Sequence, residues 1–290
     1  MTHHQKRLLL TVIGIAAIVL LTMGCLWYSM SNERNRVPPA DLSDSRYFIA
    51  HATGSVEGYN YMNCREALQQ SLENGYRYFE VDLDYTADSV LVCIHNWEFF
   101  NKASIPGISW NDSSKYNRIP TYDEFRQRKL YGRFTPLSLD DVIAISREQP
   151  FTIVVDRVGD ASVLNRYFNK ETRQRVMVEA FSEEEYRSLK ANGYVPMLSL
   201  QNIQGLTDCL GFVCRQMFRR DVEWIVVEYH SDLRILYLLK RWLGVKIAAY
   251  TVNLPSFLYH HLGNEIDMAY TDNWNLKTLM NNYQDQTTLE

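Results

Sequence analysis

The sequence predicts an α/β protein, a (β/α)8 TIM barrel with an N-terminal transmembrane helix and an insertion after a strand-2 hairpin. Three observations predict it. Short apolar runs alternate with amphipathic stretches, there are eight of them, and an uncharged segment precedes them all. Near-continuous apolar runs between helices imply a parallel sheet covered on both faces. Eight such units suit a closed barrel better than an open doubly wound sheet, and no GxGxxG follows the first run.

The uncharged segment is Leu8–Met30. It exceeds the roughly 20 residues needed to cross the hydrocarbon core. Lys6 and Arg7 precede it, and Trp27 and Tyr28 stand near its far end, where interfacial aromatics are expected. A cleaved signal peptide has a shorter apolar stretch, and Thr22 makes the run up to Cys25 a poor lipobox, so residues 1–30 are expected to form a cytoplasmic tail and an uncleaved anchor. Lys6 and Arg7 face Arg34 and Arg36, offset by Glu33, across the segment. That bias predicts a single-pass protein with its domain on the extracytoplasmic side. Residues 31–45, with Pro38-Pro39, read as a polar linker.

The barrel domain is expected over residues 46–282, followed by a tail, 283–290. Its strands are Tyr47–Ala50, Tyr78–Leu83, Thr152–Val155, Val176–Phe181, Val195–Leu200, Trp224–Tyr229, Ile247–Val252 and Met268–Thr271. Between them Asn63–Asn74, Asp140–Glu148, Glu183–Asn192, Asp232–Leu243 and Ser256–Leu262 repeat apolar residues at helical spacing. Leu91–His95 reads as an extra strand pairing with the second, and residues 97–136 as a long insertion of the kind that forms lids or small subdomains.

Charge limits the partners. The net charge is −4 and no basic stripe is interleaved with aromatics, so nucleic acid is not expected as a partner. An anionic ligand needs a local site or a metal. The cysteines show no CxxC or Cys/His zinc spacing. Buried free thiols are the preferred reading, with a Cys64–Cys93 disulfide left open for an exported domain.

Strand ends gather the polar residues. His51, Glu80, Asp82, His95, Asp156, Glu179, Gln201, His230, Asn253 and Asp272 all fall on or just past C-terminal strand ends, the face that carries chemistry in this fold. Glu80 and Asp82 are two apart and share one face of a strand, while Phe79, Val81 and Leu83 take the other. Two carboxylates on one face call for a proton or a cation between them. Oxygen ligands favour a hard divalent ion, Mg2+ or Ca2+, with Mn2+ also suited. Histidines at neighbouring strand ends suit proton transfer near neutral pH.

In this order the motifs resemble the glycerophosphodiester phosphodiesterase family, within the phospholipase C-like phosphodiesterase barrels. Phe48-Ile49-Ala50-His51, Asn63-Cys64-Arg65-Glu66-Ala67, Gly75, Glu80-Val81-Asp82 and Leu91-Val92-Cys93-Ile94-His95-Asn96-Trp97 look like the family's opening. Ala249-Tyr250-Thr251-Val252-Asn253 and Tyr270-Thr271-Asp272 look like its seventh and eighth strands. The resemblance implies His51 and His95 as the acid–base pair and Glu80, Asp82 and Asp156 as ligands of one divalent cation. Asn96, Glu179, His230, Tyr250 and Asn253 are expected to touch substrate, a small phosphodiester or a lipid headgroup.

Departures accompany it. Ala52 stands where the family has Arg, Asn96 where it has Asp, and Val158 where it has Lys. Two phosphate cations are therefore missing. Arg157 should face away from the site by strand alternation, so either a metal alone suffices or another cation, such as Lys102, Arg126 or Arg133 of the insertion, compensates. Ala50-His51-Ala52-Thr53-Gly54 looks closer to a divergent subfamily that lacks the same Arg. Two other functions stay open: a catalytically inactive binding module, and a phospholipase C- or D-like enzyme with Trp97, Phe99, Phe100, Ile105, Ile108 and Trp110 as an apolar rim.

Overall fold

The structure is a computed structural model and describes residues 44–107 and 116–272, together with Gly24. The strands are β1 Phe48–Ala50, β2 Tyr78–Tyr85, β3 Leu91–Cys93, β4 Thr152–Asp156, β5 Val176–Ala180, β6 Val195–Gln201, β7 Trp224–Glu228, β8 Lys246–Tyr250 and β9 Met268–Thr271. They run in the order β1-β9-β8-β7-β6-β5-β4-β2-β3, and β1 also pairs with β2. That last pairing, Ala50 with Phe79, closes eight parallel strands into a barrel. The short β3 lies antiparallel on β2 with Leu83 opposite Cys93, the hairpin expected from sequence. The expected strands all form, with ends displaced by a few residues.

The barrel has two cores. Ile49, Val154, Met177, Met197, Val226, Ala248, Met268 and Tyr270 fill its interior. Phe79, Val81, Leu83, Ile153, Val155, Val178, Val227 and Ala249 point the other way and pack on the helices. Alternation along β2 therefore carries Glu80 and Asp82 inward, as their apolar neighbours predict.

Helices follow the expected amphipathic stretches, each with a local reason to start. Arg65–Glu73 begins at the Cys64 thiol, which accepts from the Ala67 amide. Ser138 opens Leu139–Glu148 with a capping box closed by Asp141. Ser182 opens Glu183–Ala191, whose three leading glutamates oppose the positive end of the helix dipole. Leu206–Arg219, Leu233–Leu238 with its π-turn extension Leu239–Leu243, and Pro255–His261 complete the outer layer of the later strands. The short helices Ala161–Leu164 and Lys170–Arg173 fill the β4–β5 connection, where no periodic stretch announced them.

The insertion builds its own core. Trp97–Ser104 and Tyr122–Gln127 pack Trp97, Phe100 and Phe125 against Leu130 and Phe134. Phe100 and Phe125 stack with centroids 4.9 Å apart. This corrects the apolar-rim expectation: Trp97 and Phe100 are 8% and 1% exposed, so they hold the insertion together instead of facing a bilayer. Ile108 and Trp110 lie outside the described residues.

The disulfide left open by sequence does not form. Cys64 and Cys93 are free and buried, one in the insertion's core and the other in the barrel–helix layer. Burial pushes the Cys64 thiol up to about 12, so it serves as a neutral helix cap. No helix among the described residues is long and apolar enough to cross a membrane. The expected span Leu8–Met30 lies, apart from Gly24, outside the described residues.

Candidate active site

Strand register sets the first side chains. β2 and β4 pair with Glu80 beside Val154 and Asp82 beside Asp156, so the third carboxylate stands level with the second. Ligand oxygens of Glu80, Asp82 and Asp156 lie within 4.8 Å of one another. Each carboxylate is also aimed. The Ala52 amide donates to Glu80 Oε2, the Asn63 amide group donates to Asp82 Oδ2 at 2.8 Å, and the Arg157 amide donates to Asp156 Oδ1 at 2.6 Å. No hydrogen bond among the described residues takes the second oxygen of any of the three. Hard oxygens converging in this way fit a divalent cation.

The electrostatics point the same way. Burial, then the charges of Asp82 and Asp156, push the Glu80 carboxyl well above its ordinary range. Burial and Asp82 push Asp156 up to about 6. Burial and Asp156 raise Glu179 well above its ordinary value, against the hydrogen bond that Tyr270 donates at 2.6 Å. Raised carboxyls of this kind are those whose ionised form a cation would favour.

His51 begins a short turn after β1. Ala52 and Thr53 follow with φ of 47° and 67°, and Gly54 with 95°. These left-handed residues turn the Ala52 amide onto Glu80, and the Asn63 amide donates back to the Ala52 carbonyl at 2.9 Å. At Gly54 an added Cβ would sit 2.0 Å from Ser71 Oγ, so the close approach as well as the backbone angle requires glycine. Beside this turn His51 Nδ1 meets Asp272 Oδ1 at 2.7 Å. Asp272 is itself held: Asn253 donates to its Oδ2 at 2.6 Å and Asn60 at 3.2 Å. Closure of β9 onto β1, with Thr271 beside Ala50, brings Asp272 to His51.

His95 lies past β3. Its Nδ1 meets Asn96 Nδ2 at 2.9 Å, while Asn96 Oδ1 caps the next helix at the Phe99 amide, 2.7 Å. Tyr61 stands between the histidines, its ring centroid 4.7 Å from that of His51 and 5.3 Å from that of His95. Burial and the charges of Asp272, Asp82 and Glu80 raise its hydroxyl above the ordinary value.

A cavity of about 150 Å3 opens at this end, lined by His51, Glu80, Asp156, Glu179 and Tyr250 with Phe181, Ser199, Gln201 and Tyr270. Other expected contacts lie outside it. The Asn96 and Asn253 side chains are committed to His95 and Asp272. His230 is exposed, its ring against Tyr229 and its carbonyl accepting from Gln204. The insertion's cations are occupied as well: Lys102 pairs with Glu98, Arg126 with Asp141 and Arg133 with Glu57. Arg157 has a φ of 71°, outside the strand pattern; its charge favours the ionised form of Asp156, and it is not among the residues lining the cavity. Val158 is buried in the barrel–helix layer. Asn60, Tyr61, Asn63 and Tyr270 are the residues sequence reasoning missed. Asn63 and Tyr270, each inside a quoted motif, carried a signal; Asn60 and Tyr61 carried none.

In fold the chain is similar to solved structures of several phosphodiesterases. The Oleispira antarctica phosphodiesterase bound to the product sn-glycerol-3-phosphate superposes with a TM-score of 0.60 at 16% identity, over 81% of this chain and 96% of that one. The glycerophosphodiester phosphodiesterase of Thermotoga maritima gives 0.58 at 18% identity, over 81% and 97%. That of Parabacteroides distasonis gives 0.56 at 18%, over 84% and 99%. The barrel shared with these enzymes is the fold that the sequence predicts. No protein-family model matches the chain, and no curated protein does.

Proposed function

We propose that the chain is a metal-dependent phosphodiesterase of the glycerophosphodiester phosphodiesterase type. The observation that carries this reading is the meeting of three aimed carboxylates with a histidine–aspartate pair at one barrel mouth. Glu80, Asp82 and Asp156 would hold one Mg2+ or Ca2+, with Mn2+ also suited. When bound, that ion supplies Lewis acidity toward a phosphoryl oxygen and neutralises its charge.

The protein's own groups divide the proton work. His51 donates an Nδ1–H hydrogen bond to Asp272, which leaves Nε2 unprotonated as a base able to take the proton of the attacking hydroxyl. His95 is arranged in the opposite sense. In the neutral ring its Nδ1 accepts from Asn96, which sets a proton on Nε2, and the imidazolium form is the acid that passes this proton to the leaving oxygen. Asp272 orients His51 and favours the imidazolium that forms on proton transfer. Arg157 supplies the phosphate cation that Ala52 and Val158 do not. The small cavity favours a compact glycerol- or polyol-type diester, with Tyr250 and Gln201 on its wall. Residues 1–30 anchor the domain on the extracytoplasmic side of a membrane in this reading.

The test is turnover. Full-length protein in detergent, assayed on a panel of glycerophosphodiesters, should release glycerol phosphate with Mg2+, Ca2+ or Mn2+ and stop on addition of EDTA. Binding without turnover under every metal would identify an inactive binding module. Release of phosphorylated headgroup from vesicles alone would identify a phospholipase C-like enzyme.

A further inference from the structure

A second cavity, about 480 Å3, lies at the opposite end of the barrel. Tyr78, Thr152 and Val176, the first residues of β2, β4 and β5, line it. Arg46, Arg77, Arg147 and Arg175 surround it, and no carboxylate is among its lining residues. The chain as a whole carries 34 acidic residues against 30 Lys and Arg, so the composition does not by itself put four guanidinium groups around one hollow.

Two of the four are spoken for. Arg46 pairs with Asp44 at the cavity's edge, and Arg77 donates to the Tyr76 carbonyl at 2.6 Å. The side chains of Arg147 and Arg175 make no hydrogen bond or ion pair among the described residues. Like charges held around a cavity repel one another until an anion enters, and the planar fork of arginine suits phosphate oxygens. Tyr78 and Thr152 add hydroxyls to the wall. The same end of the barrel exposes Met217, Phe218 and Trp242, at 62%, 90% and 45%, near the ends of the helices that lead into β7 and β8.

We propose that this cavity is an anion site for a phosphate group, carried either by a phospholipid headgroup or by a free phosphomonoester. It stands apart from the carboxylate end and does not depend on the catalytic reading. The exposed Phe218 and Trp242 give the headgroup its support. Bound there, a headgroup would turn the catalytic mouth away from the lipid surface.

The experiment uses the full chain in neutral detergent with EDTA present. Inorganic phosphate is titrated in one arm. The other compares micelles doped with phosphatidylglycerol against micelles doped with phosphatidylcholine, and melting temperature and phosphorus resonance are followed in both. Wild type should bind saturably, and the double variant Arg147→Gln/Arg175→Gln should bind about tenfold or more weakly, the effect of losing one charged hydrogen bond. Response to both phosphate and phosphatidylglycerol supports a site open to free phosphomonoester. Response to phosphatidylglycerol alone supports a headgroup site. No saturable binding by wild type, or equal binding by the double variant, overturns the proposal. Circular dichroism and turnover of a soluble diester check the fold. If the double variant is unfolded, the two single variants carry the same comparison.

Discussion

Removing divalent cations should make the folded barrel lose stability as pH rises, and Asp156 sets the size of the loss. Its carboxyl moves from 3.8 to about 6 on folding, through burial and the charge of Asp82. The folded state then binds more protons than the unfolded state between those values. Stability from this group is greatest below pH 4 and falls as pH rises toward 6. A shift of two units corresponds to about 3 kcal/mol. Glu80 and Glu179 shift in the same direction and carry the loss to higher pH. Asp44, Asp160 and Asp232, held low by their hydrogen bonds, act in the opposite sense at lower pH. The measurement is therefore the difference between wild type and Asp156→Asn, by denaturant unfolding in EDTA from pH 4 to 8. Wild type should lose about 3 kcal/mol relative to the variant over that range. Adding cation at a hundredfold excess over its dissociation constant should restore about 2.7 kcal/mol to wild type. A flat difference curve, unchanged by metal, would refute the reasoning and return the three acids to simple hydrogen bonding.

Three further outcomes follow from the geometry. Asp272→Asn should lower kcat by about 10²–10⁴-fold without altering the circular dichroism, because His51 loses the acceptor that fixes its tautomer. Arg157→Met should raise KM for a phosphodiester by about tenfold and leave kcat within a few-fold, since a single charged contact to phosphate is removed; an unchanged KM would take Arg157 out of phosphate binding. Gly54→Ala should cost about 3 kcal/mol in denaturant unfolding, from the strained φ and the clash with Ser71 together; a loss under 1 kcal/mol would show that the turn relaxes freely.

Much of this was legible in the sequence because two periodicities do most of the placing. Alternation along Tyr78–Tyr85 put Glu80 and Asp82 inside, and the repeat of apolar runs gave the barrel. What stayed illegible depended on closure and on backbone outside the regular elements. Asp272 reaches His51 only because β9 pairs with β1, a contact between the two ends of the domain. Arg157 broke the strand rule by taking a left-handed conformation one residue past β4. The Tyr61 bridge between the histidines came from an irregular loop with no pattern to read. Asn253 was expected at the substrate and instead clamps Asp272, a distinction that spacing alone does not encode.

The most direct test of the account is the rate of metal-supported hydrolysis of one glycerophosphodiester by wild type, His51→Ala and His95→Ala. The account predicts turnover by wild type that EDTA abolishes, and a fall of about 10²–10⁴-fold in each variant with the fold intact. It also predicts that a diester with a better leaving group rescues His95→Ala more than His51→Ala, because only His95 protonates the leaving oxygen. Near-wild-type rates in both variants, or full activity in EDTA, would contradict it.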